Sequence, residues 1–153
     1  MELTAPDDWH HHLRDDAALE TTVPFCARTF RRAICMPNLA PPVTTAALAV
    51  AYRERIMAQV PPCKRGKFEA LMTLYLTDST TREAIVEAKR CGVVYGCKLY
   101  PKGATTNSHG GVSDVANIRE ALDEMEAQGL LLLVHGEATG DVDVFHRERT
   151  FLE

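Results

Sequence analysis

Short apolar runs alternate along the chain with segments whose apolar residues recur at helical spacing. The run "RRAICMPN" (31–38) reads as a buried strand stopped by Pro37. The segment "TTAALAVAYRERIMAQV" (44–60) has a helix's composition, and Ala47, Leu48, Ala51, Ile56 and Val60 can share one broad face. Thr44 or Thr45 can cap it and Pro61-Pro62 end it. "FEALMTLYLT" (68–77) is strand-like. "TREAIVEAKRCG" follows, opened by the capping-box spacing Thr80-x-x-Glu83 and closed on Gly92. "VVYGCKLY" (93–100) is again a strand. Ser113 can cap the helix "DVANIREALDEMEAQG", in which Ile118, Ala121, Leu122 and Met125 follow helical spacing and Gly129 is the stop. "LLLLVHGE" (130–137) is an apolar run too short to favour a helix.

With "DDWHHHLRDD" (7–16) as the first strand and "AALETTV" as a short helix after it, the order becomes β-α-β-α-β-α-β-α-β. Strands that are apolar on both faces, separated by helices, predict an α/β fold with a parallel sheet. The units could form a complete doubly wound sheet, or the first five βα units of a (β/α)8 barrel, which needs ~250 residues. Periodicity does not separate the two. No repeat, low-complexity tract or linker-like stretch divides the chain, so it reads as part of one domain.

Bulk properties narrow the function classes. The chain has 153 residues, 46% hydrophobic and 25% charged, which suits an ordinary globular domain. A net charge of -4 gives no electrostatic reason to expect nucleic acid or an anionic membrane. No apolar run approaches the ~18 residues of a membrane span. "MELTAPDDW" has neither a basic start nor an apolar h-region, so no secretory signal is expected. Cys26, Cys35, Cys63, Cys91 and Cys97 form no C-x-x-C pair, which suits reduced thiols and a cytoplasmic location.

In both architectures, sites gather at the C-terminal ends of the strands. Those ends carry His10-His11-His12-Leu13-Arg14, then Met36-Pro37-Asn38, Lys98 before Pro101, and His135-Gly136-Glu137. Strand alternation puts His10 and His12 on one side and His11 on the other. Two imidazoles on one side, with a third from another strand, suit a first-row metal such as zinc. The plainer reading is a polar strand end, with His135 a core histidine. Lys98 lies inside an apolar run, where lysine is rarely buried without a partner. Burial would leave a nucleophilic amine able to form a Schiff base or a carbamate ligand, or the ammonium could escape to the strand end. Arg14 and Asn38 sit at the same mouth. A guanidinium is a bidentate carboxylate receptor, although solvent exposure is the commoner fate of each residue alone. His109 and His146 are assigned no role.

Taken together, "PDDWHHHLRD", "RAICMPNLAPPVTT", "LMTLYLTDST", "KLYPKGATTNSHGGV" and "LLLVHGEAT" resemble, in order and spacing, the shorter bacterial dihydroorotases of the amidohydrolase superfamily. The resemblance implies the first five βα units of a (β/α)8 TIM-type barrel, an N-terminal portion. It implies two zinc ions, with His10 and His12 on one, carboxylated Lys98 bridging both and His135 on the second. It implies substrate contacts from His12, Arg14, Asn38 and His135, with Arg14 and Asn38 on the substrate carboxylate. The implied reaction interconverts N-carbamoyl-L-aspartate and L-dihydroorotate in pyrimidine biosynthesis. The middle residue of H-x-H is usually apolar in that family; His11 departs from this, but its side should face away from the metals.

The family's general acid-base aspartate and a further zinc histidine match no position up to Glu153, so no catalytic residue is assigned within the chain. Asp141 and Asp143 do not match the motif position. The expectation is a fragment of a dihydroorotase, inactive and poorly stable alone, whose partner is a small-molecule substrate; self-association as a homodimer stays open. Rival readings are another cyclic amidohydrolase, such as a hydantoinase or dihydropyrimidinase, a non-catalytic zinc-binding homologue, and an unrelated flavodoxin-like domain. The last is weakened because no Gly-rich phosphate loop follows the first strand.

Overall fold

The computed structural model describes residues 4–153; residues 1–3, which open the stretch read for a targeting signal, lie outside the described residues. Among the described residues, β1 (Asp7–His11), β2 (Arg32–Cys35), β3 (Glu69–Tyr75), β4 (Val94–Leu99) and β5 (Leu131–Val134) form one sheet. Helices α1 (Leu19–Thr29), α2 (Ala46–Ala58), α3 (Arg82–Arg90) and α4 (Arg119–Gln128) connect them, and α5 (Arg147–Leu152) follows β5. No helix of the described residues is long and apolar enough to cross a membrane.

Every strand pair is parallel and the spatial order is β1-β2-β3-β4-β5. A doubly wound sheet reverses its strand order at a switch point; this one does not. Crossovers of one hand in one direction place all helices on one face, as in a (β/α)8 barrel, of which these five strands are an open arc.

The two faces are built differently. Ala33, Cys35, Met72, Leu74, Cys97 and Leu99 point to the helices and share a core with Val23, Tyr52, Ile56, Ile85, Ala121 and Met125. Their alternate neighbours Ile34, Met36 and Leu71, with Leu133, make a much smaller apolar cluster on the opposite face. That inner face also holds the buried lysine of β4, flanked by β3 and β5. The strands at the two edges of the arc are not buried on both sides: Trp9 of β1 and Leu131, Leu132 and Val134 of β5 are exposed.

Several local expectations move. Helix α2 buries Ala49, Tyr52 and Ile56, not Ala47 and Leu48, which are exposed, or Ala51, which is half-buried. The segment is rich in alanine on all sides, so tertiary contact rather than sequence contrast chooses the face. The cap of α2 is Thr45, whose hydroxyl accepts from Leu48 N–H. The cap of α3 is Thr81, not Thr80; the Thr80 hydroxyl instead accepts from Thr77 N–H and closes the preceding turn. Ser113 does not cap the next helix. Asp114 caps the 3-10 turn Val115–Ile118 that leads into α4, while Ser113 is bound to Asp78. The short helix after β1 runs on to Thr29, with Pro24 inside it.

Candidate functional site

The first site element is a strand end that the sequence made unusual. His10 and His12 project to the same side, and their Nε2 atoms approach to 3.3 Å. His11 turns the other way: its Nδ1 meets Asp8 Oδ2 at 2.8 Å and its ring sits edge-on to Phe30. Burial, then the charge of Lys98, pulls the His10 pKa below its ordinary value, and Asp8 opposes this. Burial, then the charges of Arg14 and His10, lowers His12, while the Asn38 side chain works the other way. Both rings are therefore biased towards the neutral imidazole, the form that coordinates a metal.

Lys98 stands at the end of β4 and is only 2% exposed. Among the described residues its ammonium makes no ion pair, and it lies over the Tyr100 ring, whose centre is 5.2 Å from Nζ. Burial lowers its pKa. Its charge acts on both His10 and His12, and that of His135 acts on His10, so the four groups share one space.

His135 follows β5 and is held by a backbone bond from its N–H to Leu99 O at 2.9 Å. Its Nε2 is buried and lies 3.1 Å from Glu137 Oε1, yet the two are too poorly aligned for a hydrogen bond. Arg14 and Asn38 complete the rim. Arg14 is exposed in a left-handed conformation (φ 63), and its carbonyl accepts from Tyr52 Oη. The nearby Asp15 is taken by Arg55 through a bidentate pair at 2.9 and 2.6 Å, so it does not neutralise Arg14. Among the described residues the Arg14 guanidinium has no carboxylate partner. Asn38 is 3% exposed; its Nδ2 donates to Thr106 O, tying it to the loop after β4, while its Oδ1 is buried without a partner.

The donor types fit a zinc-like ion. Two neutral imidazoles face each other, a buried amine has no partner, and a buried imidazole nitrogen has no hydrogen bond. The coordination geometry is not closed: among the described residues no group of three His, Cys, Asp or Glu side chains is arranged to hold a metal. Tyr100 and Tyr75 are site neighbours that motif reading passed over. Their rings stack at 5.2 Å, and the Tyr100 hydroxyl is buried without a partner. The signal was available, since Tyr100 lies two positions after Lys98 and so on the same side of the strand.

No family model matches the chain. Over 154 aligned residues it is 58% identical to a dihydroorotase of Hahella chejuensis and 61% identical to one of Methylobacillus flagellatus, covering all of this chain and 44% of each relative. The chain thus spans less than half the length of the curated relatives it matches. A solved dihydroorotase of Campylobacter jejuni superposes with a TM-score of 0.84 at 40% identity, over 95% of this chain and 41% of that one. The Saccharomyces cerevisiae dihydroorotase in complex with 5-fluoroorotic acid gives a TM-score of 0.83 at 32% identity, over 96% and 42%. An L-hydantoinase of Arthrobacter aurescens, at 17% identity and a TM-score of 0.64 over 87% of this chain and 29% of that one, shares the fold. In sequence and in fold the chain belongs with the dihydroorotases, as a stretch equivalent to about 44% of their length.

Proposed function

We propose that these residues form part of a dihydroorotase centre, the zinc-dependent interconversion of N-carbamoyl-L-aspartate and L-dihydroorotate in pyrimidine biosynthesis. The observation that carries the reading is the convergence of His10 and His12 Nε2 at 3.3 Å within reach of the charge of Lys98, which is buried without an ion pair among the described residues. His10, His12, Lys98 as its carbamate, and His135 would hold the metal, which when bound supplies a Lewis acid and an activated water. His12 and His135 would also border the substrate.

The chain's own residues account for orientation. Arg14 is an exposed guanidinium with no carboxylate partner among the described residues, suited to bidentate capture of a substrate carboxylate. Asn38 on the same rim would offer the carboxylate the second N–H of its Nδ2, the first being given to Thr106 O. A carboxylate receptor favours dihydroorotate over uncharged cyclic amides, which sets this reading above a hydantoinase-like one. The yeast relative's complex with 5-fluoroorotic acid agrees with an acidic ligand. Among the described residues no aspartate stands with the four donors to move a proton, so the 153 residues by themselves are inferred to be inactive, in keeping with an open arc that leaves the inner face uncovered. The compartment inferred is the cytoplasm.

Two measurements test the reading. Zinc titration of the purified chain should show a site lost in the variant combining His10→Ala with His12→Ala; no zinc site would overturn the metal-centre reading. Dihydroorotate hydrolysis by the pure 153-residue chain would overturn the inference that it is inactive alone.

A further inference from the structure

The facing histidines sit where the strand ladder breaks. β1 meets β2 at Asp7↔Arg32 and Asp8↔Ala33, and next at His11↔Cys35. Three steps along β1 therefore match two along β2, which is a bulge at Trp9 and His10. A bulge re-aims side chains but frees backbone groups from the ladder. Here the His10 N–H is taken by Asp8 Oδ1 at 2.9 Å. The other carboxylate oxygen of Asp8 receives His11 Nδ1 at 2.8 Å, and the His11 ring is lodged against Phe30 of the outer layer. One carboxylate thus clamps the second residue of the bulge through its backbone and the residue after the bulge through its ring.

We propose that Asp8, with His11, is a positioning device that holds the bulged end of β1 so that His10 meets His12 on the inner face. The middle histidine of the HHH run then acts as an anchor, fixing the strand end from the helix side while its two neighbours face the site. This inference rests on the reading of His10 and His12 as metal ligands. Asp8 touches neither ring of that pair and acts through the backbone of His10. Asparagine can stand in for it, since its Oδ1 accepts from His10 N–H and its Nδ2 donates to His11 Nδ1. Alanine can do neither.

The test is zinc affinity, measured on the purified chain by competition with a chromophoric chelator, beside the thermal melt of the metal-free protein. Partners in the outer shell of a metal site change affinity by about tenfold to a hundredfold. Asp8→Ala is expected to weaken zinc binding in that range, Asp8→Asn to stay within a few-fold of wild type, and His11→Leu to fall between. A merely structural role would lower the melt of all three in proportion while leaving zinc affinity unmoved. Wild-type affinity in a folded Asp8→Ala chain overturns the inference, as does equal weakening by Asp8→Ala and Asp8→Asn, which would assign the effect to charge. If Asp8→Ala does not fold, weakened binding in His11→Leu with unchanged binding in Asp8→Asn supports the clamp, and any other result for that pair overturns it. A wild-type chain that binds no zinc removes the metal-centre reading itself, which is a different failure.

Discussion

A methyl group added at Gly96 has nowhere to go. Gly96 of β4 pairs with Leu131 of β5, and a Cβ there would lie 2.6 Å from the Leu131 carbonyl oxygen and 3.0 Å from its Cβ. The first contact is with backbone, so no side-chain rotation relieves it and the two strands must separate. Overpacking of this kind costs about 1–3 kcal/mol. At roughly 2–4 °C per kcal/mol for a domain of this size, Gly96→Ala is expected to lower Tm by about 2–12 °C. Because β5 is an edge among the described residues, it can yield by sliding outward, carrying with it His135, whose N–H is bound to Leu99 O. The variant should therefore also weaken zinc binding. Thermal melting by circular dichroism at neutral pH and a parallel zinc titration read the two effects. A Tm within about 1 °C of wild type would refute the steric argument. A lowered Tm with wild-type zinc affinity would instead detach His135 from the metal centre.

Other expectations follow from single contacts. Lys98→Met removes the charge of a residue that is 2% exposed and has no ion pair among the described residues, and should raise the Tm of the metal-free chain at neutral pH by about 2 °C or more while abolishing zinc binding; an unchanged or lower Tm would show that the lysine is accommodated without cost. Tyr52→Phe deletes the bond from Tyr52 Oη to the Arg14 carbonyl, in a side chain that is 1% exposed. It should cost about 0.5–1.5 kcal/mol in urea titration, and no loss would mean that water satisfies the Arg14 turn as well. Hydrogen bonds from Ser113 and Asn117 hold the Asp78 pKa at about 2, below its ordinary 3.8. A carboxylate with a depressed folded pKa stabilises fully above its ordinary value, and that contribution is lost as pH falls through the folded one. Asp78→Asn should therefore flatten the acid-stability curve of the chain between pH 3.8 and about 2; curves that stay parallel there would contradict the assignment.

Much of this protein is decided by the sequence before any long-range contact forms. Apolar runs too short for helices, broken by Pro37, Gly92 and Gly129, set strands and helices in alternation. The motif ends of those strands, from the HHH run to "LLLVHGE", already mark the residues that gather at one mouth, because parallel strands bring their C-terminal ends to one side whatever their order. Caps were legible only to within one residue: Thr80 and Thr81 are chemically alike, and only the hydrogen bond to Ala84 N–H separates them. The buried face of α2 was not legible, because alanines on every side give no contrast until Tyr52 finds the Arg14 carbonyl. Strand order was likewise open, since a local pattern carries no record of which strand lies beside which; only the sequential pairing from β1 to β5 excludes a doubly wound sheet. The same holds for the bulge at Trp9 and His10. Alternation predicts a shared side for His10 and His12, but the register against β2, which turns Asp8 into a clamp, exists only when the strands are packed together.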